Sequence, residues 1–193
     1  LYNIVDRIFI GHIPDVGTLS LGGLAVTFPI MNLSAAFGAM VGVGSSTMIS
    51  IKLGQKDYQT AERVLGNLVS LNVIIGIVVG VLGLIFIDPL LLFFGASENT
   101  IMYARDYMEI ILYGNVATHL FLGLNAALRS TGHPHVAMSA TIATVIINAI
   151  LDPLFIFTFG MGIKGAAIAT ILAQVFSLIY VITILSNKKD LIH

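Results

Sequence analysis

The chain has 193 residues, of which 57% are apolar and only 10% are charged, whereas a soluble domain carries roughly a quarter charged residues. The formal net charge is −1, and no basic stripe marks a nucleic-acid surface, so nucleic-acid partners are excluded. The absence of cysteine excludes disulfides and thiolate metal sites.

The uncharged stretches of the chain predict membrane-spanning helices. Residues 64–87 contain no charged side chain, and a run of about 20 apolar residues is long enough to cross a bilayer. Hydropathy and the positions of glycine, proline and charge predict an all-α membrane protein, a lobe of six transmembrane helices whose first helix is truncated. The six apolar segments are residues 1–11, 20–51, 64–87, 101–128, 136–159 and 164–186.

The second apolar segment is longer than a straight span requires. Because Pro29 lies inside residues 20–51, we expect this segment to form a tilted or kinked helix. Small residues follow this proline and should let another helix approach closely. These small residues are Gly38, Gly42, Gly44, Ser45 and Ser46.

Two polar stretches are predicted to lie at the membrane surface. Residues 54–63 carry both signs of charge, which is typical of a short amphipathic surface helix or a solvated connector. Asp88 and Pro89 predict the end of the third helix, with the carboxylate in water.

Basic residues fall mainly on one side of the predicted membrane. Cytoplasmic loops are enriched in Lys and Arg, so we assign this side, and both ends of the lobe, to the cytoplasm. We expect a multi-pass protein of the plasma membrane, the inner membrane of a bacterium or archaeon. The basic residues of this side are Lys52, Lys56, Arg63, Arg129, Lys188 and Lys189, against Arg105 and Lys164 on the other.

Two carboxylates lie inside predicted spans, where an ionisable side chain costs about 2.5–3.5 kcal/mol and is a functional candidate. Asp6 lies in the first segment and Asp152 in the fifth, with Asn148 on the same helical face as Asp152. Pro153 frees a backbone carbonyl beside Asp152, and Thr170 adds a hydroxyl in the sixth segment. This oxygen-rich set suits a hard cation, although Asn148 and Asp152 could instead clamp two helices together.

Carboxylates that share a dry pocket repel each other unless a cation or proton compensates. We therefore expect Na+ and H+ to compete for this site, and we predict no other cofactor. The chain is not predicted to be an enzyme, because Asp6 and Asp152 lie in dissimilar motifs and no protease signature accompanies them.

The fourth segment holds two further polar candidates. His119 lies well inside it, where an imidazole could relay protons near neutral pH or pack as a hydrogen-bonded core residue. Glu109 lies near the outer end with Asp106 and Arg105, where it could be solvated or face a substrate cavity.

Five motifs cover nearly the whole chain: residues 3–12 (NIVDRIFIGH), 27–30 (TFPI), 128–134 (LRSTGHP), 148–153 (NAILDP) and 162–170 (GIKGAAIAT). Their combination and order resemble the pattern of multidrug and toxic compound extrusion (MATE) transporters. The resemblance implies a twelve-helix antiporter of two pseudo-symmetric lobes, which expels cationic or amphipathic compounds in exchange for sodium or protons.

The same resemblance implies a place and a site for this chain. Residues 1–193 would form the N-terminal six-helix lobe, and the missing C-terminal lobe or a second copy would complete the binding cleft. Tyr107 matches a cavity-lining tyrosine of the family, and Glu109 and His119 are assigned to the same substrate cavity from their positions in the fourth segment. The family's Na+ or H+ site matches Asp6, Asn148, Asp152 and Thr170, with Ala166 as a backbone-carbonyl ligand.

Two other functions remain open. Flippases for lipid-linked oligosaccharides or polysaccharides share the broader fold, but they would need cationic side chains for a pyrophosphate, and Arg7 is the only basic residue that is not assigned to either side of the membrane. A half-length chain could also act as a scaffold that does not transport.

Overall fold

The computed structural model describes residues 2–186, with side chains from residue 4 onward, as a helical bundle; Lys188 and Lys189 lie outside these residues. Within the described range there is no β-strand. The α-helices are α1 (Tyr2–Gly11), α2 (Gly17–Gly54), α3 (Tyr58–Ile85), α4 (Ile87–Phe93), α5 (Ile101–Tyr113), α6 (Asn115–Ser130), α7 (Pro134–Pro153) and α8 (Ile163–Ser186), and a π-helical turn (Leu154–Thr158) follows α7.

Most of these helices are built to cross a membrane. Four are long and apolar enough: α2, α3, α7 with its π-helical turn, and α8. Helices α5 and α6 are long and apolar enough for a fifth span only when taken together, with a bend of 58° between them, and α1 has ten residues. The predicted all-α membrane fold is confirmed.

The bend between α5 and α6 falls at Gly114, inside a segment predicted to be continuous. A Cβ atom at Gly114 would lie 2.2 Å from Cδ1 of Ile171. Glycine therefore allows α8 to pack directly against the bend.

The connection between α2 and α3 is shorter than predicted. Helix α3 already begins at Tyr58, so residues 54–63 form neither a separate surface helix nor one continuous connector, and residues 58–63 belong to the first turns of α3. The cause is a helix cap: Asp57 accepts a hydrogen bond from the backbone N–H of Thr60. This bond satisfies one of the donors that a first helical turn leaves unpaired.

The acidic residue and proline after α3 begin a helix instead of ending one. Helix α3 ends at Ile85, whereas Asp88 and Pro89 lie in the first turn of α4. Proline is tolerated in a first turn, and an acidic side chain is favoured near a helix N-terminus. The prediction that this pair ends the third helix is therefore wrong, although Asp88 is exposed and pairs with Arg105.

Helix α2 continues through Pro29 as one helix of 38 residues. Its predicted close contacts are confirmed at two glycines, since a Cβ atom at Gly38 or Gly42 would lie 3.1 Å from an atom of α6. At Gly44 no atom of the described residues lies within 4 Å of a Cβ atom, so the close contact stays a prediction there.

Helix α8 contacts α1, α5, α6 and α7. Small residues on its buried face let the neighbouring backbones approach closely. A Cβ atom at Gly165 would lie 2.7 Å from the backbone carbonyl carbon of Phe155, so glycine holds α8 against the π-helical turn. The small buried residues of α8 are Gly165, Ala166, Ala167, Ala169, Thr170, Ala173 and Ser177.

Candidate cation-binding site

Two acidic side chains from helices α1 and α7 meet inside the bundle. Asp6 and Asp152 are 0% exposed, and the helices that carry them pack against each other. Asp152 directly precedes Pro153, the last residue of α7, after which the helix changes to the π-helical turn. The predicted backbone irregularity beside Asp152 is thus confirmed.

Side chains from two more helices complete the hydrogen-bond network around these acids. Tyr107 of α5 and Thr170 of α8 each donate a hydrogen bond of 3.2 Å to Oδ2 of Asp6. Asn148, one turn before Asp152 on α7, donates through Nδ2 to Oδ1 of Asp152 at 3.0 Å. The same Nδ2 lies 3.4 Å from Oγ1 of Thr170. The structure therefore brings together all four side chains of the predicted ion site.

Three oxygens of this network have no hydrogen-bond partner within the described part of the chain. They are Oδ1 of Asp6, Oδ1 of Asn148 and Oδ2 of Asp152. A buried polar oxygen without a partner is costly. Hard cations prefer carboxylate, amide and hydroxyl oxygens, and a proton can neutralise one of two adjacent carboxylates. The residues present therefore fit Na+ or H+.

The predicted backbone ligand lies close to this network. Ala166 is fully buried near the start of α8. In an α-helix the carbonyl of residue i accepts a hydrogen bond from the N–H of residue i+4, which for Ala166 is that of Thr170. Ligation by Ala166 would use the second lone pair of this carbonyl, and its role stays a prediction.

The residues assigned to a substrate cavity are placed differently. Tyr107 and His119 are 0% exposed in this structure, and their assignment to a substrate cavity stays a prediction. Tyr107 of α5 reaches the acidic site, whereas His119 of α6 packs against Gly38 of α2. Glu109 is half-buried, and its role in a cavity stays a prediction.

His119 belongs to a second buried polar cluster, which sequence reasoning missed. Ser34 of α2 donates a hydrogen bond of 2.8 Å to Oδ1 of Asn115 and lies 3.2 Å from Nε2 of His119. Asn115 donates in turn to the backbone carbonyl of Gly76 on α3 at 3.2 Å. The spacing of four between Asn115 and His119, on one face of an apolar helix, was the available signal.

A groove of about 590 Å³ lies between α2, α6 and α7. Its walls are mainly apolar, with hydroxyl groups from Ser46, Ser50 and Ser130. Arg129 also lines it, and within residues 2–186 this guanidinium forms no ion pair. The groove therefore presents one positive charge beside several hydroxyl groups.

Known proteins share this architecture. A family model described as MatE matches residues 1–154. The chain is 31% identical over 190 residues to the multidrug export protein MepA of Staphylococcus haemolyticus (strain JCSC1435), a match that covers 98% of this chain and 42% of that protein.

Two solved structures are similar along nearly the whole chain. One is a MATE protein in a bent conformation, with a TM-score of 0.92, 31% identity and coverage of 98% of this chain and 42% of that one. The other is an inward-facing multidrug resistance MATE family transporter, also with a TM-score of 0.92 and 31% identity, with coverage of 99% and 43%.

These matches settle the family and the extent of the likeness. The chain spans about 42% of the length of the curated relatives it matches. The matched structures are of transporters, which supports the expectation that the chain is not an enzyme. Since the family model covers most of the sequence, the chain belongs to the MatE family of membrane transporters.

Proposed function

We propose that residues 1–193 form the N-terminal lobe of a cation-coupled multidrug efflux antiporter. In this proposal Asp6, Asn148, Asp152 and Thr170 hold the coupling Na+ or H+. The observation that carries it is the set of three buried oxygens without hydrogen-bond partners, on residues of two helices that meet at this point. The multidrug export named for a relative supports small cationic or amphipathic molecules as substrates.

The chemistry of the site supplies a reason for coupling. Two adjacent carboxylates in a dry site need a compensating positive charge. Binding or loss of this charge alters the hydrogen bonds that join Asp6 of α1 to Tyr107 and Thr170. A ligand can shift a conformational equilibrium only by binding two states differently. In this proposal the two states differ in how α1 packs against its neighbours.

The proposal includes a membrane orientation and a second lobe. Ser50 donates a hydrogen bond of 3.2 Å to the backbone carbonyl of Ser130, so the ends of α2 and α6 lie side by side. Lys52 and Arg129 lie at these ends, which supports a cytoplasmic location under the positive-inside rule. In a plasma membrane, a C-terminal lobe or a second copy would then complete the substrate cleft.

Calorimetry tests the ion site directly. Na+ binding is measured on the complete purified protein from pH 5 to 9, for the natural sequence and for Asp152→Asn. We expect saturable Na+ binding that weakens at acid pH and is lost in Asp152→Asn, since Na+ and H+ compete to neutralise the same carboxylates. The matched control is Asp88→Asn, because this carboxylate is exposed and pairs with Arg105 instead of bonding a residue of the proposed ion site.

Equal Na+ binding by Asp152→Asn and the natural sequence would rule out the proposed Na+ site. Proton uptake that is coupled to drug export, without any Na+ binding, would instead identify a proton antiporter at the same acids. The complementary variant Asp6→Asn should also abolish coupling.

One observation favours a second candidate, a flippase for lipid-linked oligosaccharides. Arg129 is a positive charge in an otherwise mainly apolar groove, which suits a pyrophosphate attached to an isoprenoid chain. Binding of a polyprenyl pyrophosphate that is lost in Arg129→Gln would favour this function. Export of cationic drugs that does not depend on Arg129 would favour the antiporter.

A further inference from the structure

A small polar cavity lies between the acidic site and the cluster around His119. Its volume is about 50 Å³, which is enough for water, since one molecule needs about 10–15 Å³. Thr170 of the acidic site lines the cavity, and so do Ser34 and Asn115, which form the cluster with His119. The other polar residues that line it are Asn32, Thr118 and Gln174.

The hydrogen bonds of this cluster define the proton positions on His119. A hydroxyl has one hydrogen to donate, and Ser34 gives it to Oδ1 of Asn115. Nε2 of His119, at 3.2 Å from the same hydroxyl, must then carry a hydrogen and donate it to Ser34. Nδ1 of His119 is buried and has no partner within the described part of the chain. This nitrogen therefore holds a free lone pair or a second proton.

We propose that His119 is a second proton-binding site of this transporter, linked through the polar cavity to the Na+ site at Asp6 and Asp152. The inference rests on the function proposed above. A hydronium ion would transfer its proton to the Nδ1 lone pair, leaving water and an imidazolium whose Nε2–H still donates to Ser34. Like charges repel more strongly in a protein interior than in water, so a proton on His119 and Na+ at the acids disfavour each other.

Among the charged groups on the helices around His119, those of the acidic site are the buried ones. The helices packed against α6 are α2, α3, α5, α7 and α8. Among their described residues, Asp152 and Tyr107 are buried titratable groups of the acidic site, and Glu109 is half-buried. The remaining titratable or charged side chains of these helices lie toward their ends or on α5 and are Lys52, Tyr58, Glu62, Arg63, Tyr103, Arg105, Asp106, Tyr107, Tyr113, His135, Lys164 and Tyr180.

The pH dependence of Na+ affinity tests this link. Affinity is measured by calorimetry on the complete protein between pH 5.5 and 8 for the natural sequence and for His119→Gln, which keeps a donor for Ser34 but cannot titrate. If Na+ binding displaces one proton from His119, linkage changes the affinity by up to about tenfold per pH unit over the range where this imidazole titrates. We therefore expect the loss of affinity between pH 8 and 5.5 to be about tenfold smaller in His119→Gln.

Two further variants separate the link from general packing. Ser34→Ala keeps His119 but removes the hydroxyl between the imidazole and the cavity. The pH dependence of its Na+ affinity should therefore be weaker than in the natural protein, as in His119→Gln. Ser177→Ala removes a buried hydroxyl of α8 that is bonded to Thr144 at 2.7 Å, and it should keep the natural pH dependence.

The outcomes distinguish this inference from the function on which it rests. Unchanged pH dependence in both His119→Gln and Ser34→Ala, with Na+ binding intact, would overturn the link alone. Absence of Na+ binding at every pH in the natural sequence would overturn the Na+ site and this inference together. Should both variants fail to fold, nitrogen-15 NMR of the natural protein decides, because a His119 that stays neutral down to pH 5 overturns the proposal.

Discussion

Thr170 donates a hydrogen bond of 3.2 Å to Oδ2 of Asp6, although the two residues lie 164 positions apart in the sequence. The same hydroxyl lies 3.4 Å from Nδ2 of Asn148, which donates to it. Asn148 also donates to Asp152. One threonine hydroxyl therefore connects the carboxylate of α1 with the amide and carboxylate of α7.

Removing this hydroxyl should weaken the ion site without unfolding the lobe. Thr170→Val keeps the branched shape of the side chain but removes the donor to Asp6 and one oxygen of the site. Residues that orient metal ligands typically change affinity by about 10–100-fold, so we expect Na+ affinity to fall by about tenfold or more in calorimetry. Thr144→Val is the control, because this buried hydroxyl bonds Ser177 and not the acids. Equal losses in both variants would assign the effect to packing.

Tyr107 contributes the second donor to Asp6, and its removal tests stability. Tyr107→Phe keeps the buried ring and removes the hydroxyl that donates to Oδ2 at 3.2 Å. A hydrogen bond to a charged group contributes about 1.5–3 kcal/mol, so we expect a loss of that order in the unfolding free energy in detergent. A variant as stable as the natural protein would show that Asp6 does not depend on this donor.

The parts of the site that could be predicted from the sequence are those with a local signal. Asn148 and Asp152 lie four residues apart on one helix, and a carboxylate inside an apolar segment is conspicuous because its insertion is costly. Pro153 similarly predicts the irregular backbone that the structure has after α7. Such patterns need no knowledge of which helices are neighbours.

The parts that could not be predicted depend on contacts between distant segments. The bend at Gly114 is matched to Ile171 of α8, and no local pattern shows this pairing. Tyr107 and His119 lie in one predicted segment, but the structure places them in separate buried clusters. Helix α3 begins earlier than predicted because a cap at Asp57 outweighs the polarity of its first turns.

Close backbone packing beside the acidic site should make Gly165 intolerant of a side chain. In Gly165→Ala the new Cβ atom would lie 2.7 Å from the backbone carbonyl carbon of Phe155 and 2.8 Å from its oxygen. Backbone atoms cannot move aside cheaply, and overpacking costs about 1–3 kcal/mol, so we expect lower thermal stability and weaker Na+ binding. Gly66→Ala is the control, since nothing lies within 4 Å of a Cβ there. Equal stability of the two variants would contradict the close contact.

The cap of α3 should make stability depend on pH in the acid range. Hydrogen bonding to Thr60, through its side chain and its backbone N–H, and the charge of Lys52 lower the pKa of Asp57 below its ordinary value of 3.8. Because the pKa is lowered in the folded state, the stabilisation is complete above the unfolded value and is lost as pH falls through the folded one. Asp57→Asn keeps a capping oxygen but does not titrate, so its thermal unfolding should match that of the natural protein at pH 7 and lack this acid-dependent loss. Asp57→Ala removes the cap and should be less stable than the natural protein at pH 7. Parallel pH profiles of thermal stability for Asp57→Asn and the natural protein would contradict the role of Asp57.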